Sequence, residues 1–311
     1  VFLNLKVFNC WLKKLPMLQT TLFGKKLKNP FILASGILGS AASTLIEISK
    51  QAGAVTCKSV SKEPIKGHEN PTVLGEEYVI NAVGLSNPGI QEFEEELRKV
   101  VEKASSPLIV SVVGKTKEDF VYLSDRVNSI KPFAIELNLS CPNVSGKVIA
   151  TDAKQTAEIV GSVKEVAKVP VLAKLSPNVT DIAEIAKAAE EAGADGITAI
   201  NTVKAMAIDP RARMPILTNK FGGLSGKYIK PIALAKVYEI RKAVAIPIIG
   251  VGGVITGTDA AEMLMAGANA VGVGSAFYYR GYDAISKIAK ELEDFMKKEG
   301  YRKVEEIRMV G

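Results

Sequence analysis

Eight short apolar runs, each followed by a stretch with helical periodicity, predict an α/β fold: a (β/α)8 or TIM barrel of eight parallel strands. Three observations carry the prediction. The runs are continuously apolar and do not alternate, as expected of strands covered on both faces. Amphipathic helical stretches return between them at every step. No linker divides the chain, and 311 residues with 47% hydrophobic content suffice for an extensive core.

Residues 1–16 differ from the rest. Phe2, Leu3, Leu5, Val7, Phe8, Trp11, Leu12 and Leu15 interleave with Lys6, Lys13 and Lys14. This pattern suits a short basic amphipathic helix on a membrane surface, a helix packed on the domain, or a start assigned too early with Met17 the true first residue. It is too short and interrupted for stable membrane insertion. Residues 17–311 are expected to form a single barrel domain.

The first strand is Phe31-Ile32-Leu33-Ala34, ended by Ser35-Gly36, and a helix follows over Ser43 to Gln51. The second strand is Ala54 to Lys58, the third Leu108 to Val112 and the fourth Ala134 to Asn138. Val169 to Lys174, Gly196 to Ile200, Ile246 to Val251 and Ala270 to Val273 complete the set. Between them helices are expected over 91–103, 117–130, 152–168, 181–193, 229–244 and 258–266, with a last one over 283–299. Two connections are long, Ser59 to Ile90 after strand two and Thr202 to Lys227 after strand six. Long ordered loops commonly serve as lids or binding elements, and these leave the strand ends where such barrels hold their chemistry.

The net charge of +7, from 40 basic and 33 acidic residues, is spread along the chain. This favours anionic small molecules and gives no clustered stripe for nucleic acid. Cys10, Cys57 and Cys141 have no metal-site or disulfide spacing, so no metal is expected in this chain and a reducing cytoplasm is its expected compartment. His68 is the only histidine and sits among Gly67, Glu69, Asn70 and Pro71, which reads as a solvated loop.

Polar residues mark the strand ends. Ser35 follows strand one, Lys58 closes strand two, Asn138 strand four and Lys174 strand five. Asn201 follows strand six, Gly252-Gly253 strand seven and Gly274-Ser275 strand eight. They should ring one mouth. The glycine pairs allow close approach of backbone amides to a phosphate, which suits a mononucleotide, and no G-x-G-x-x-G follows a strand to suggest a dinucleotide. Asn138-Leu-Ser-Cys-Pro-Asn143 places Cys141 between two carboxamides just past strand four. A buried, inert thiol and a reactive one are both open on that hexapeptide alone.

That hexapeptide, with Asn81-Ala-Val-Gly-Leu-Ser-Asn-Pro-Gly89, Lys174-Leu-Ser-Pro-Asn178, Gly222-Gly-Leu-Ser-Gly226, Lys230-Pro-Ile-Ala-Leu234 and Gly250-Val-Gly-Gly253, resembles the class 1 dihydroorotate dehydrogenases. The similarity extends from about Met17 to the end, including Gly300-Tyr-Arg-Lys-Val-Glu-Glu-Ile307. The resemblance implies oxidation of (S)-dihydroorotate to orotate in de novo pyrimidine biosynthesis, with FMN over the barrel mouth. It assigns Cys141 as the general base. Lys58, Asn81, Gly84, Leu85, Asn138, Asn143, Asn201 and Thr202 would hold the substrate. Ala34, Ser35, Lys58, Ser59, Asn138, Lys174, Ile200, Gly226, Gly252, Gly253, Gly274 and Ser275 would hold the flavin.

The chemistry agrees with these roles. A thiol starts at a pKa of about 8.5, far nearer neutrality than a hydroxyl, and so suits proton removal beside a carbonyl. Lysine charge near flavin N1 and O2 stabilises the reduced ring. Carboxamides pair with a uracil-like ring in both directions. The membrane-bound branch of the family has serine where Cys141 stands. The NAD-linked branch implies a second, electron-transfer subunit carrying FAD and a [2Fe-2S] cluster, with a homodimer core or a heterotetramer as the assembly. A fumarate-linked homodimer is the alternative, and a lyase forming a Schiff base on Lys174 is a more distant one.

Overall fold

The computed structural model describes residues 17–140 and 149–309. The expected N-terminal extension, residues 1–16, lies outside them. So do Cys141 and Asn143.

The described chain begins with a hairpin, β1 (Thr20–Leu22) and β2 (Lys25–Leu27), which the sequence did not announce. Then follow β3 (Phe31–Leu33), α1 (Ala42–Ser49) and β4 (Ala54–Thr56). The first long connection holds β5 (Thr72–Leu74) and β6 (Tyr78–Asn81). Next come α2 (Ile90–Lys103), β7 (Leu108–Val112), α3 (Lys117–Asn128), β8 (Ala134–Asn138), α4 (Ala153–Val166), β9 (Val171–Lys174), α5 (Ile182–Glu191) and β10 (Gly196–Ala199). The second long connection holds β11 (Val203–Met206), β12 (Ile208–Asp209), β13 (Met214–Pro215) and β14 (Phe221–Gly226). The chain continues through α6 (Lys230–Ala243), β15 (Ile248–Val251), α7 (Gly257–Met265), β16 (Ala270–Val273), α8 (Ala276–Arg280) and α9 (Ala284–Glu299).

Strands β3, β4, β7, β8, β9, β10, β15 and β16 neighbour one another in that order and close into the expected parallel barrel. Several ends are shorter than read from sequence. Strand two stops at Thr56, so Lys58 lies just beyond it, and the first strand stops at Leu33. Some helices start where the sequence supplies a side-chain cap. Thr116 and Asp119 form a reciprocal capping box on α3, as Thr256 and Asp259 do on α7, and Asp181 caps α5.

The barrel interior is layered. Ile32, Ala54, Ile109, Ala134, Leu172, Ile249 and Ala270 pack with Leu22 and Leu27, so the β1–β2 hairpin closes the end where the strands begin. Successive strand residues point to opposite faces, so the next inward positions lie two residues on. These include Thr56, Ser111, Glu136 and Lys174, all buried. The interior therefore changes from hydrocarbon to polar toward the strand ends. Outward positions such as Phe31, Val55, Val110, Ile135 and Val271 join the layer under the helices.

The two long connections meet. Strands β11, β14, β6 and β5 form one antiparallel sheet, with β6 and β14 joining the two connections through the register Gly223 to Asn81. Both connections leave carboxyl ends of barrel strands, so this sheet stands at the polar end.

Candidate active site

The polar interior positions join in one hydrogen-bonded chain. Lys174 Nζ lies 3.4 Å from Glu136 Oε1, and Ser111 Oγ donates to the same oxygen at 3.0 Å. Ser111 and Ser59 share a hydroxyl contact at 2.9 Å, and Asn138 Nδ2 donates to Ser59 Oγ at 3.0 Å. Asn201 Nδ2 donates to Asn138 Oδ1 at 3.3 Å, as does the amide of Ser140. Ser35 Oγ stands 3.3 Å from Ser59 Oγ and donates to the Cys57 carbonyl. The chain joins β7, β8 and β9 with the segments that follow β3, β4 and β10. Glu136 is 2% and Lys174 6% exposed, so this is a buried ion pair and not a surface one.

The mouth sheet ties into this chain. Thr202 donates its amide to Asn201 Oδ1 at 2.8 Å, and Asn178 Nδ2 donates to the Thr202 carbonyl at 3.1 Å. A Cβ on Gly223 would fall on Thr202 Oγ1, so the strand passes directly against that side chain. Asn81 Nδ2 donates to the carbonyl of the same glycine at 3.3 Å. Gly84 and Leu85 follow Asn81 in a turn with φ of 69° and 58°. His68 packs on that turn, and its Nδ1 lies 2.9 Å from the Ala82 carbonyl. The histidine is exposed, as read from sequence, and holds a loop.

Lys58 stands apart from the chain. Its ammonium makes no ion pair or hydrogen bond among the described residues, and burial pushes its pKa below the ordinary lysine value. It borders a cavity of about 280 Å³ with Ser40, Ile65, Lys66, Asn87 and Phe93. Cys57, its neighbour, is wholly buried, and desolvation pushes that thiol up to about 12, which leaves it inert.

The glycines divide into two kinds. Gly252 and Gly253 have φ of 138° and 72°, and a Cβ on Gly253 would lie 2.7 Å from the Lys230 amide nitrogen. The fold itself demands glycine there. Gly226 is similar, with φ 105°. Gly274 differs, because a Cβ on it would meet Ala34 Cβ at 3.7 Å and Ile37 Cγ1 at 3.9 Å, both ordinary contacts.

A family model described as dihydroorotate dehydrogenase matches residues 17–296. The chain belongs to the dihydroorotate dehydrogenase family. It is 49% identical over 295 residues to a Pyrococcus abyssi protein named dihydroorotate dehydrogenase B (NAD(+)), catalytic subunit, covering 94% of this chain and 98% of the relative. A Methanocaldococcus jannaschii protein of the same name is 47% identical, covering 91% and 94%, and one from Thermoplasma acidophilum is 46% identical, covering 94% and 98%. Relatives of the fumarate-linked kind are thus not what these names describe. Dihydroorotate dehydrogenases are flavin-dependent oxidoreductases built on this barrel, and the chain is an enzyme of that family.

The residues fit a flavin. Neither backbone nor packing requires glycine at 274, which suits a cofactor pressed against that strand end beside Ala34. Thr198 Oγ1 and Ser140 Oγ are buried without a partner among the described residues, and Thr198 pairs in register with Lys174. Ile200 and Ser275 flank the same end, each continuing a barrel strand. Sequence reasoning missed Glu136, Ser111 and Thr198. A charged residue inside an apolar run was the available signal for the first.

Proposed function

We propose that this chain oxidises (S)-dihydroorotate to orotate in pyrimidine biosynthesis, with FMN at the barrel mouth, and passes the electrons to NAD through a partner subunit. The observation that carries the proposal is the single polar chain from Lys174 to Asn201, which gathers residues from three barrel strands and from the segments that follow two more at one mouth. The names of the relatives favour the NAD-linked branch and, as catalytic subunits, a partner. FAD and a [2Fe-2S] cluster would reside on that partner, the assembly would be a homodimer core or a heterotetramer, and the cytoplasm is the proposed compartment. Among the described residues no helix is long and apolar enough to cross a membrane.

The reaction removes a proton from carbon 5 and a hydride from carbon 6, leaving a carbon–carbon double bond. FMN, when bound, supplies the hydride acceptor at N5. Asn81, Asn138, Asn143 and Asn201 would hold the substrate ring and carboxylate, with Thr202, Gly84 and Leu85 beside them. Asn138 is itself held by Ser59 and Asn201, so its amide is oriented before substrate arrives. Lys58, whose ammonium has no partner among the described residues, would offer its charge to both substrate and flavin. Lys174 would face flavin N1 and O2, while Ala34, Ser35, Ile200, Gly226, Gly252, Gly253, Gly274 and Ser275 would enclose ring, ribityl and phosphate. Cys141, directly after the anchored Ser140, would take the proton. The more distant reading, a Schiff base on Lys174, finds that amine in an ion pair with Glu136.

Rapid mixing of Cys141→Ser with dihydroorotate tests the base. The variant should bind flavin normally yet reduce it slower by roughly 10²-fold or more near neutral pH, recovering as pH rises. An unchanged rate refutes the assignment.

A further inference from the structure

The buried carboxylate of Glu136 has no role in the proposed function. It lies on the polar layer inside the barrel, 2% exposed, with Lys174 Nζ and Ser111 Oγ on one oxygen. Lys174 makes no other ion pair among the described residues. Burying a carboxylate is costly unless it is paired and hydrogen-bonded, so the pair stands or falls together. A lysine needed only as a cation beside a flavin would act most strongly with no anion beneath it. The structure instead places an anion 3.4 Å from it, on the side of the barrel interior.

We propose that Glu136 is a positioning residue that sets how much of the Lys174 charge reaches the bound flavin. In the low-dielectric interior the carboxylate offsets much of the ammonium field. It also fixes where the ammonium sits, and Ser111 fixes the carboxylate in turn. The pair thus holds the flavin at a lower reduction potential than an uncompensated lysine would, and electrons leave the reduced ring more readily. This inference rests on the flavin reading above.

The test is a four-protein cycle: wild type, Glu136→Gln, Lys174→Met and the double variant, each studied with and without FMN. The readouts are the midpoint potential by dye equilibration and the melting temperature of the flavin-free chain. Glutamine keeps the shape and can still accept from Ser111. Glu136→Gln should favour the reduced flavin about 10- to 100-fold, a shift of roughly 30–60 mV upward for a two-electron couple. Should that single variant not fold, the double variant carries the test, because its potential should lie above that of Lys174→Met. A potential unmoved or lowered by the glutamine in either background overturns the proposal.

The flavin-free chains separate this inference from the functional reading. Each single variant should melt lower than wild type, and the double variant should recover part of that loss because no lone charge is left buried. Strictly additive losses overturn the pairing. If wild type binds no flavin, the functional reading fails, and the melting arm alone decides whether the pair acts as a unit.

Discussion

Lys58 and Lys174 show how the same side chain acquires two uses from its surroundings. Lys174 shares a buried oxygen with Ser111, whereas Lys58 has no partner for its ammonium among the described residues, and burial lowers its pKa. A lysine is charged below its pKa, so a lowered value means that Lys58 loses its charge at lower pH than an ordinary lysine. If it holds the dihydroorotate carboxylate, kcat/KM should fall on the alkaline side sooner than an exposed lysine would allow. Lys58→Arg keeps its charge throughout that range and should flatten the alkaline limb. A limb unchanged in a pH profile of the arginine variant removes Lys58 from substrate binding. Lys58, Asn138 and Lys174 were legible in the sequence because each ends or follows an apolar run. Glu136 was harder to see. It lies mid-strand, where periodicity assigns a core position and gives no hint of what it faces.

Among the elements, the barrel strands could be read and the mouth sheet could not. Strands such as β7 and β8 are buried at every residue, so they stand out as unbroken apolar runs. β14, with the sequence Phe-Gly-Gly-Leu-Ser-Gly, is mostly half-exposed, and β5 is exposed at two of its three positions. Strands of that kind have neither the apolar continuity nor the alternation that marks a strand. Their pairing is nevertheless what brings Asn81 and Thr202 to the same residue, Gly223. Gly223→Ala tests this, because its methyl group would displace the Thr202 side chain. The KM for dihydroorotate should rise roughly tenfold, equivalent to about 1.4 kcal/mol, with little change in melting temperature. An unaltered KM would mean that the sheet does not shape the substrate site.

For the whole molecule, the polarity gradient along the barrel axis is the organising feature. The hairpin of Leu22 and Leu27 seals the apolar end, and the polar chain runs to the other, where the two long connections converge. The sequence predicted the eight barrel strands and the barrel end where polar residues gather, because eight repeats of one unit define both. It did not reveal that the two connections would build a single sheet, since that depends on pairing between segments far apart in the chain. This mouth is expected to hold a flavin which dihydroorotate reduces. Anaerobic titration of the purified full chain, produced with ample riboflavin, measures this directly. The expected result is a yellow protein whose flavin absorbance bleaches in proportion to added dihydroorotate, with orotate appearing in equal amount. A colourless protein supplied with FMN, or a bound flavin indifferent to dihydroorotate, would contradict it.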